Sequence, residues 1–104
     1  MNAKDEFIEH IKMAQAPVKC VHIKCGMAYF EEVQKDIVLN CGFDEGDFNS
    51  FLKSLNFGYD NGYGGQELYG VIWYTDGTYS ERGEYDGSEW WEYRSAPAIP
   101  EELL

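Results

Sequence analysis

Apolar residues recur at helical spacing in two stretches of the chain and at strand spacing in several others. In residues 3–15, Phe7, Ile8, Ile11 and Ala14 form one stripe, with Asp5, Glu6 and Glu9 off it. That pattern predicts an amphipathic helix. Asn2 is placed to cap its first turn, where Asp5 and Glu6 suit the positive end of the helix dipole. Pro17 follows and opens the next element. Residues 44–55 give the clearer helix, because Phe48, Phe51, Leu52 and Leu55 stand at i, i+3, i+4 and i+7. Asp44 reads as its N-cap, and Asp47 three residues on comes close to a capping box.

Alternation marks the strands. In residues 18–25 Val21 and Ile23 take one face, while Cys20, His22 and Lys24 take the other, and Gly26 is expected to end the strand. Residues 33–41 predict a second strand centred on Ile37-Val38-Leu39, paired with the first although no tight-turn signature joins them. The stretch FGYDNGYGGQ after the second helix reads as a glycine-rich loop. Residues 68–94 predict a three-stranded meander of LYGVIWY, TYSERGEY and EWWEYR. Its turns are Thr75-Asp76-Gly77 and Asp86-Gly87-Ser88, both Asp-Gly hairpin signals. Val71-Ile72-Trp73-Tyr74 is apolar on both faces and so belongs in a central or covered strand. The order α-β-β-α-β-β-β predicts an α+β fold, with both helices on one face of an antiparallel sheet. The other face is left to solvent with tyrosines, tryptophans and carboxylates. A single domain spans 1–104, with 95–104 expected to be extended or poorly ordered.

Composition narrows the class. At 104 residues, 44 % hydrophobic and 16 % aromatic, the chain suits one packed core. Its formal net charge is −11. Residues 1–53 hold nine acids against six bases, and residues 54–104 hold ten against two, so net charges of −3 and −8 make up that total. Such a surplus disfavours direct binding of nucleic acid or anionic membranes and favours basic partners. The polar first residues contain no signal-peptide core, and no apolar run reaches bilayer length, which predicts a cytoplasmic protein. Cys20, Cys25 and Cys41 are expected to be reduced thiols.

Candidate chemistry is weighed against that background. Cys20, His22, Cys25 and Cys41 include an allowed zinc spacing. A regular strand points Cys20 and Cys25 to opposite faces, however, and there is no second close pair, so no metal or other cofactor is expected. A Cys–His enzyme would need a base held against a thiol, and no spacing shows one. The glycine-rich loop lacks the lysine and following helix of a phosphate cradle and the carboxylates of a calcium loop. The carboxylates of the meander lie among aromatics, as in glycosidases, but about 100 residues is small for a deep cleft. Two readings stand level: both tryptophans are structural and the acids keep an exposed sheet from aggregating, or the set is a partner-binding surface, with acids to steer the encounter and rings to anchor it. Its contacts are Glu81, Glu84, Asp86, Glu89, Trp90 and Glu92, joined by Tyr59, Asp60 and Tyr63 of the loop. Trp91 and Tyr93 are expected inside, leaving Trp90 and Glu92 exposed.

Asp76-Gly77-Thr78, the run Arg82-Gly83-Glu84-Tyr85-Asp86-Gly87-Ser88-Glu89-Trp90-Trp91 and the terminal Pro-Glu-Glu resemble segments of small proteins of tailed bacteriophages. The resemblance covers the last third of the chain and implies a viral origin, with no activity attached. Small acidic phage proteins, as a class, include inhibitors of host nucleic-acid machinery or defence systems, some of them mimics of DNA charge. The expectation is therefore a non-catalytic modulator that occupies the positive groove of a basic host protein, such as one that binds nucleic acid. Two alternatives stand beside it: a small ligand-binding domain or hydrolase using the aromatic and carboxylate face, and a homo-oligomeric assembly protein.

Overall fold

The computed structural model describes residues 1–27, 30–59, 66–85, 88–97 and 99–104, and for 27 and 30–34 the backbone alone. Helix α1 spans Ala3–Lys12, and its Asn2 cap accepts the Asp5 amide at 3.1 Å. It ends before residue 15. Met13 N–H and Ala14 N–H bond the carbonyls of His10 and Ile11, three residues back, so the last turn tightens ahead of Pro17. Helix α2 spans Glu45–Ser54 and starts on a complete capping box. The Asp44 side chain accepts the Asp47 amide at 2.7 Å, and the Asp47 side chain accepts the Asp44 amide at 3.1 Å.

Among the described residues five strands form one sheet: β1 Val18–Met27, β2 Phe30–Leu39, β3 Leu68–Tyr74, β4 Tyr79–Tyr85 and β5 Ser88–Arg94. Their order is β2-β1-β3-β4-β5, with every neighbouring pair antiparallel. The expected α+β class and α-β-β-α-β-β-β order are thus what the chain adopts. Strands β1 and β2 have other bounds than the sequence reading gives them. Gly26 does not end β1, because its amide bonds the Glu67 carbonyl at 3.1 Å and the strand continues to Met27 through a register slip. Strand β2 starts three residues earlier than expected and stops at Leu39. Beyond it, Gly42 takes a φ of 80° that favours glycine. The chain ends in one 3-10 turn, Glu101–Leu103, with no buried residue.

The core lies between one sheet face and the two helices. Val21, Ile23, Ile37, Leu39, Leu68, Ile72, Tyr74 and Trp91 supply the sheet side; Ala3, Phe7, Phe51 and Leu55 supply the helix side. Burial of each large side chain contributes roughly 1.5–3 kcal/mol. β3 is central, as its apolar run requires. It lies so close to β1 that a Cβ on Gly70 would come 2.5 Å from the His22 carbonyl oxygen and 2.9 Å from Ile23 Cα. Both helices pack on the same side, which leaves Tyr69, Val71 and Trp73 of β3 on a face that, among the described residues, no helix covers.

Candidate functional site

The uncovered face is built by alternation along each strand and by the registers between them. Val71 pairs with Glu81, and Glu81 with Glu92, so the two carboxylates sit in one row across β4 and β5. Arg94 joins them, with Nε 2.9 Å from Glu81 and a terminal nitrogen 3.0 Å from Glu92. Two carboxylates thus share one guanidinium, and the group keeps a net negative charge. All three side chains are between 40 % and 47 % exposed, so solvent screens these pairs. Flat rings surround them. Tyr69 is 48 % exposed, Trp73 41 % and Trp90 37 %. Trp90 pairs with Gly83, and its indole occupies the space where a Gly83 side chain would stand. Trp90 and Glu92 therefore face outward as expected, and Trp91 is buried. Tyr93 only borders the core. Its ring stacks on His10 at 4.0 Å between centroids, and its hydroxyl bonds the His10 carbonyl.

The same registers correct two of the expected contact residues. Glu84 pairs with Glu89, one step out of phase with Glu81 and Glu92, so both belong to the helix side of the sheet. Glu84 is exposed there. Glu89 is not a surface contact: only 3 % of it is exposed, and its carboxylate accepts from Arg82 at 2.7 Å and from the amides of Glu67 and Leu68 at 2.7 and 3.0 Å. Tyr59 is likewise buried. Its hydroxyl donates to Glu6 and accepts from Arg82 at 2.9 Å. Arg82 also donates to Glu6 at 3.0 Å, and its guanidinium lies 5.0 Å from the Trp91 ring centre. Burial and hydrogen bonding to Glu6 push the Tyr59 hydroxyl far above its ordinary range. This is a structural centre that joins α1, β4, β5 and the segment after α2. Asp60, Tyr63 and Asp86 lie outside the described residues.

Other candidate chemistry resolves into structural roles. His10 Nε2 lies 2.8 Å from Ser80 Oγ, and Tyr74 OH lies 2.8 Å from that same oxygen. A serine beside a histidine has the form of a nucleophile and its base, but Ser80 is completely buried and no substrate reaches it. Burial, and then the Arg82 charge, lower His10 to about 4. His22 bonds Asp36 at 2.9 Å on the exposed surface. The cysteines are free thiols. Burial pushes Cys20 and Cys25 up, and the Cys41 thiol hydrogen-bonded to Cys20 adds to its shift, which is opposite to the activation a thiol nucleophile needs. Among the described residues no three His, Cys, Asp or Glu side chains are placed to hold a metal ion, and no helix is long and apolar enough to cross a membrane.

Sequence reasoning missed the Arg82 centre, although its own placing of Trp91 inside also places Glu89 inside. Comparison with family models, with curated proteins and with solved structures finds no match to this chain.

Proposed function

We propose that this protein is a binding module for a basic protein and that the helix-free face of the sheet is the surface it presents. The supporting observation is the uncovered set of Tyr69, Trp73 and Trp90 beside Glu81 and Glu92, on a chain whose net charge is −11. Large rings left open on a sheet are expensive to hydrate and recur as anchors at interfaces. The paired carboxylates beside them attract a cation, and the charge of the whole molecule accelerates the encounter. A lysine or arginine of the partner meets Glu81 and Glu92, while its aliphatic stem lies over Trp90 or Trp73. A second copy of the chain is a weaker occupant, since two molecules of this charge repel. The likeness of the last third to phage segments favours a host protein as the partner, held in place of nucleic acid.

Affinity capture on the immobilised protein, run as a salt series, tests the reading. Exposed charges act over about 30 Å at 0.01 M salt and about 3 Å at 1 M, so the partner is released as salt rises. Trp73→Ser together with Trp90→Ser abolishes capture at every salt concentration. A captured protein that ignores both the salt and the double substitution sinks the proposal.

A further inference from the structure

Two of the three thiols meet. Val21 of β1 pairs with Leu39, the last residue of β2, so the chain that leaves β2 through Asn40 and Cys41 passes the start of β1. Cys20 and Cys41 are hydrogen-bonded to each other there. β1 bulges at the same point. Val18 pairs with Tyr74 and Cys20 with Trp73, which leaves Lys19 as the extra residue. Lys19, Cys20, Cys41 and Trp73 line one open hollow of about 270 Å³. Cys41 is exposed and Cys20 half-buried. Cys25 is not part of the pair. It lies further along β1, opposite Leu68 and Lys35, and packs against the core.

We infer that Cys20 and Cys41 are a modification site, where hydrogen peroxide drives a reversible disulfide within the molecule. Cys41 is the attacking thiol, because it is the accessible one. Its thiolate attacks one peroxide oxygen and the O–O bond breaks. Cys41 becomes a sulfenic acid, and the hydroxide released takes up the proton that Cys41 gave. Cys20 then attacks that sulfur and the S–O bond breaks. The departing hydroxide leaves with the Cys20 proton as a second water. Two thiols have lost two electrons and two protons, and one peroxide has become two waters. Contact between the thiols makes the second step intramolecular. The uncharged oxidant suits a chain of net charge −11, which repels anionic disulfides such as oxidised glutathione. Burial above all, and then the hydrogen bond to Cys41, hold the Cys20 thiol up. Cys20 is therefore a slow leaving group when a reductant attacks the exposed sulfur, and the bridge outlasts the oxidant. It ties β1 to the turn ahead of α2, beside the Trp73 ring. The inference does not rest on a binding role for the helix-free face.

The test treats the full chain with hydrogen peroxide, alkylates it in denaturant and measures tryptic peptide masses. Trypsin cuts after Lys19, Lys24, Lys35 and Lys53, which puts the three cysteines on separate peptides. The expected product is residues 20–24 joined to residues 36–53 and lighter by two hydrogens, with Cys25 alkylated. Its yield does not change with protein concentration. Closing the loop from Cys20 to Cys41 raises the urea midpoint by roughly 2 M, and dithiothreitol reverses the shift. Cys25→Ser forms the same bridge. Cys20→Ser and Cys41→Ser form none and keep their urea midpoints in peroxide, and in Cys20→Ser dimedone traps the sulfenic acid on Cys41. The inference is overturned if no joined peptide forms, if Cys25 takes part in it, if the link joins two molecules, or if it forms only after unfolding in urea.

Discussion

Trp90 and Gly83 are cross-strand partners in which one residue supplies a ring and the other the room for it. A Cβ on Gly83 would come 2.7 Å from the indole Nε1 and 2.8 Å from Cε2. The ring therefore lies against the backbone of β4, held in one orientation beside Glu92.

Gly83→Ala pushes that ring away from the strand. The clash is with a side chain at the surface, which can move, so the cost is about 1 kcal/mol, at the low end for overpacking. Tryptophan fluorescence shifts, and partner capture falls as far as it does in Trp90→Ser. In a Trp90→Ala background the alanine at 83 meets only the Glu92 carboxylate, 3.1 Å away and free to swing out, so most of the cost is gone, which a double-mutant cycle in urea reads out.

Arg82→Met removes the cation that Glu6 and Glu89 share. Arg82 and Glu89 side chains are 1 % and 0 % exposed, so a buried carboxylate loses its counter-charge. Breaking such a pair costs about 3–5 kcal/mol. Glu89→Gln keeps the shape, and its side-chain oxygen still accepts from an amide, so it costs less. Chemical denaturation of the two variants is expected to show that ranking; equal midpoints would make the centre ornamental.

Acid weakens the fold through His10. Its folded value is lowered to about 4 from 6.5, so the unfolded chain takes up the proton first as pH falls. Stability held above 6.5 is lost between 6.5 and about 4, and no further loss comes from this group below that. The slope in the window is no steeper than about 1.4 kcal/mol per pH unit. His10→Gln removes this component, and the difference between the urea midpoints of the two proteins, followed across the window, measures it.

The thiols differ in reactivity. Cys41 is exposed, whereas Cys20 and Cys25 are partly covered and held up by burial. An iodoacetamide time course at mildly alkaline pH, read by peptide mass, is expected to label Cys41 first. Rapid labelling of Cys25 would revive a catalytic thiol.

What could be read from the sequence was local. The stripe of Phe48, Phe51, Leu52 and Leu55, the Asp44 and Asp47 cap, and the alternation in β1 and β5 are set by neighbours a few residues apart. Sheet order was not legible, because β1 sits between β2 and β3 by pairing Cys20 with Trp73 and Ile23 with Gly70. Which carboxylates lie on the helix-free face depended on that level as well. Phase within β5 separates Glu89 from Glu92, but only the β4–β5 register and the packing of α1 bring Arg82 and Glu6 to Glu89. Composition alone had counted all five acids of the meander as one surface.

The two ends of the glycine-rich segment share one anchor. Tyr59 enters it bonded to Arg82, and the amides of Glu67 and Leu68 leave it bonded to Glu89, the partner of that same arginine. Losing Arg82 therefore frees both flanks at once: the Tyr59 hydroxyl gives up a donor, and the carboxylate that holds the Glu67 and Leu68 amides gives up its counter-charge. A single side chain on β4 thus fixes where the chain leaves the segment after α2 and where it enters β3.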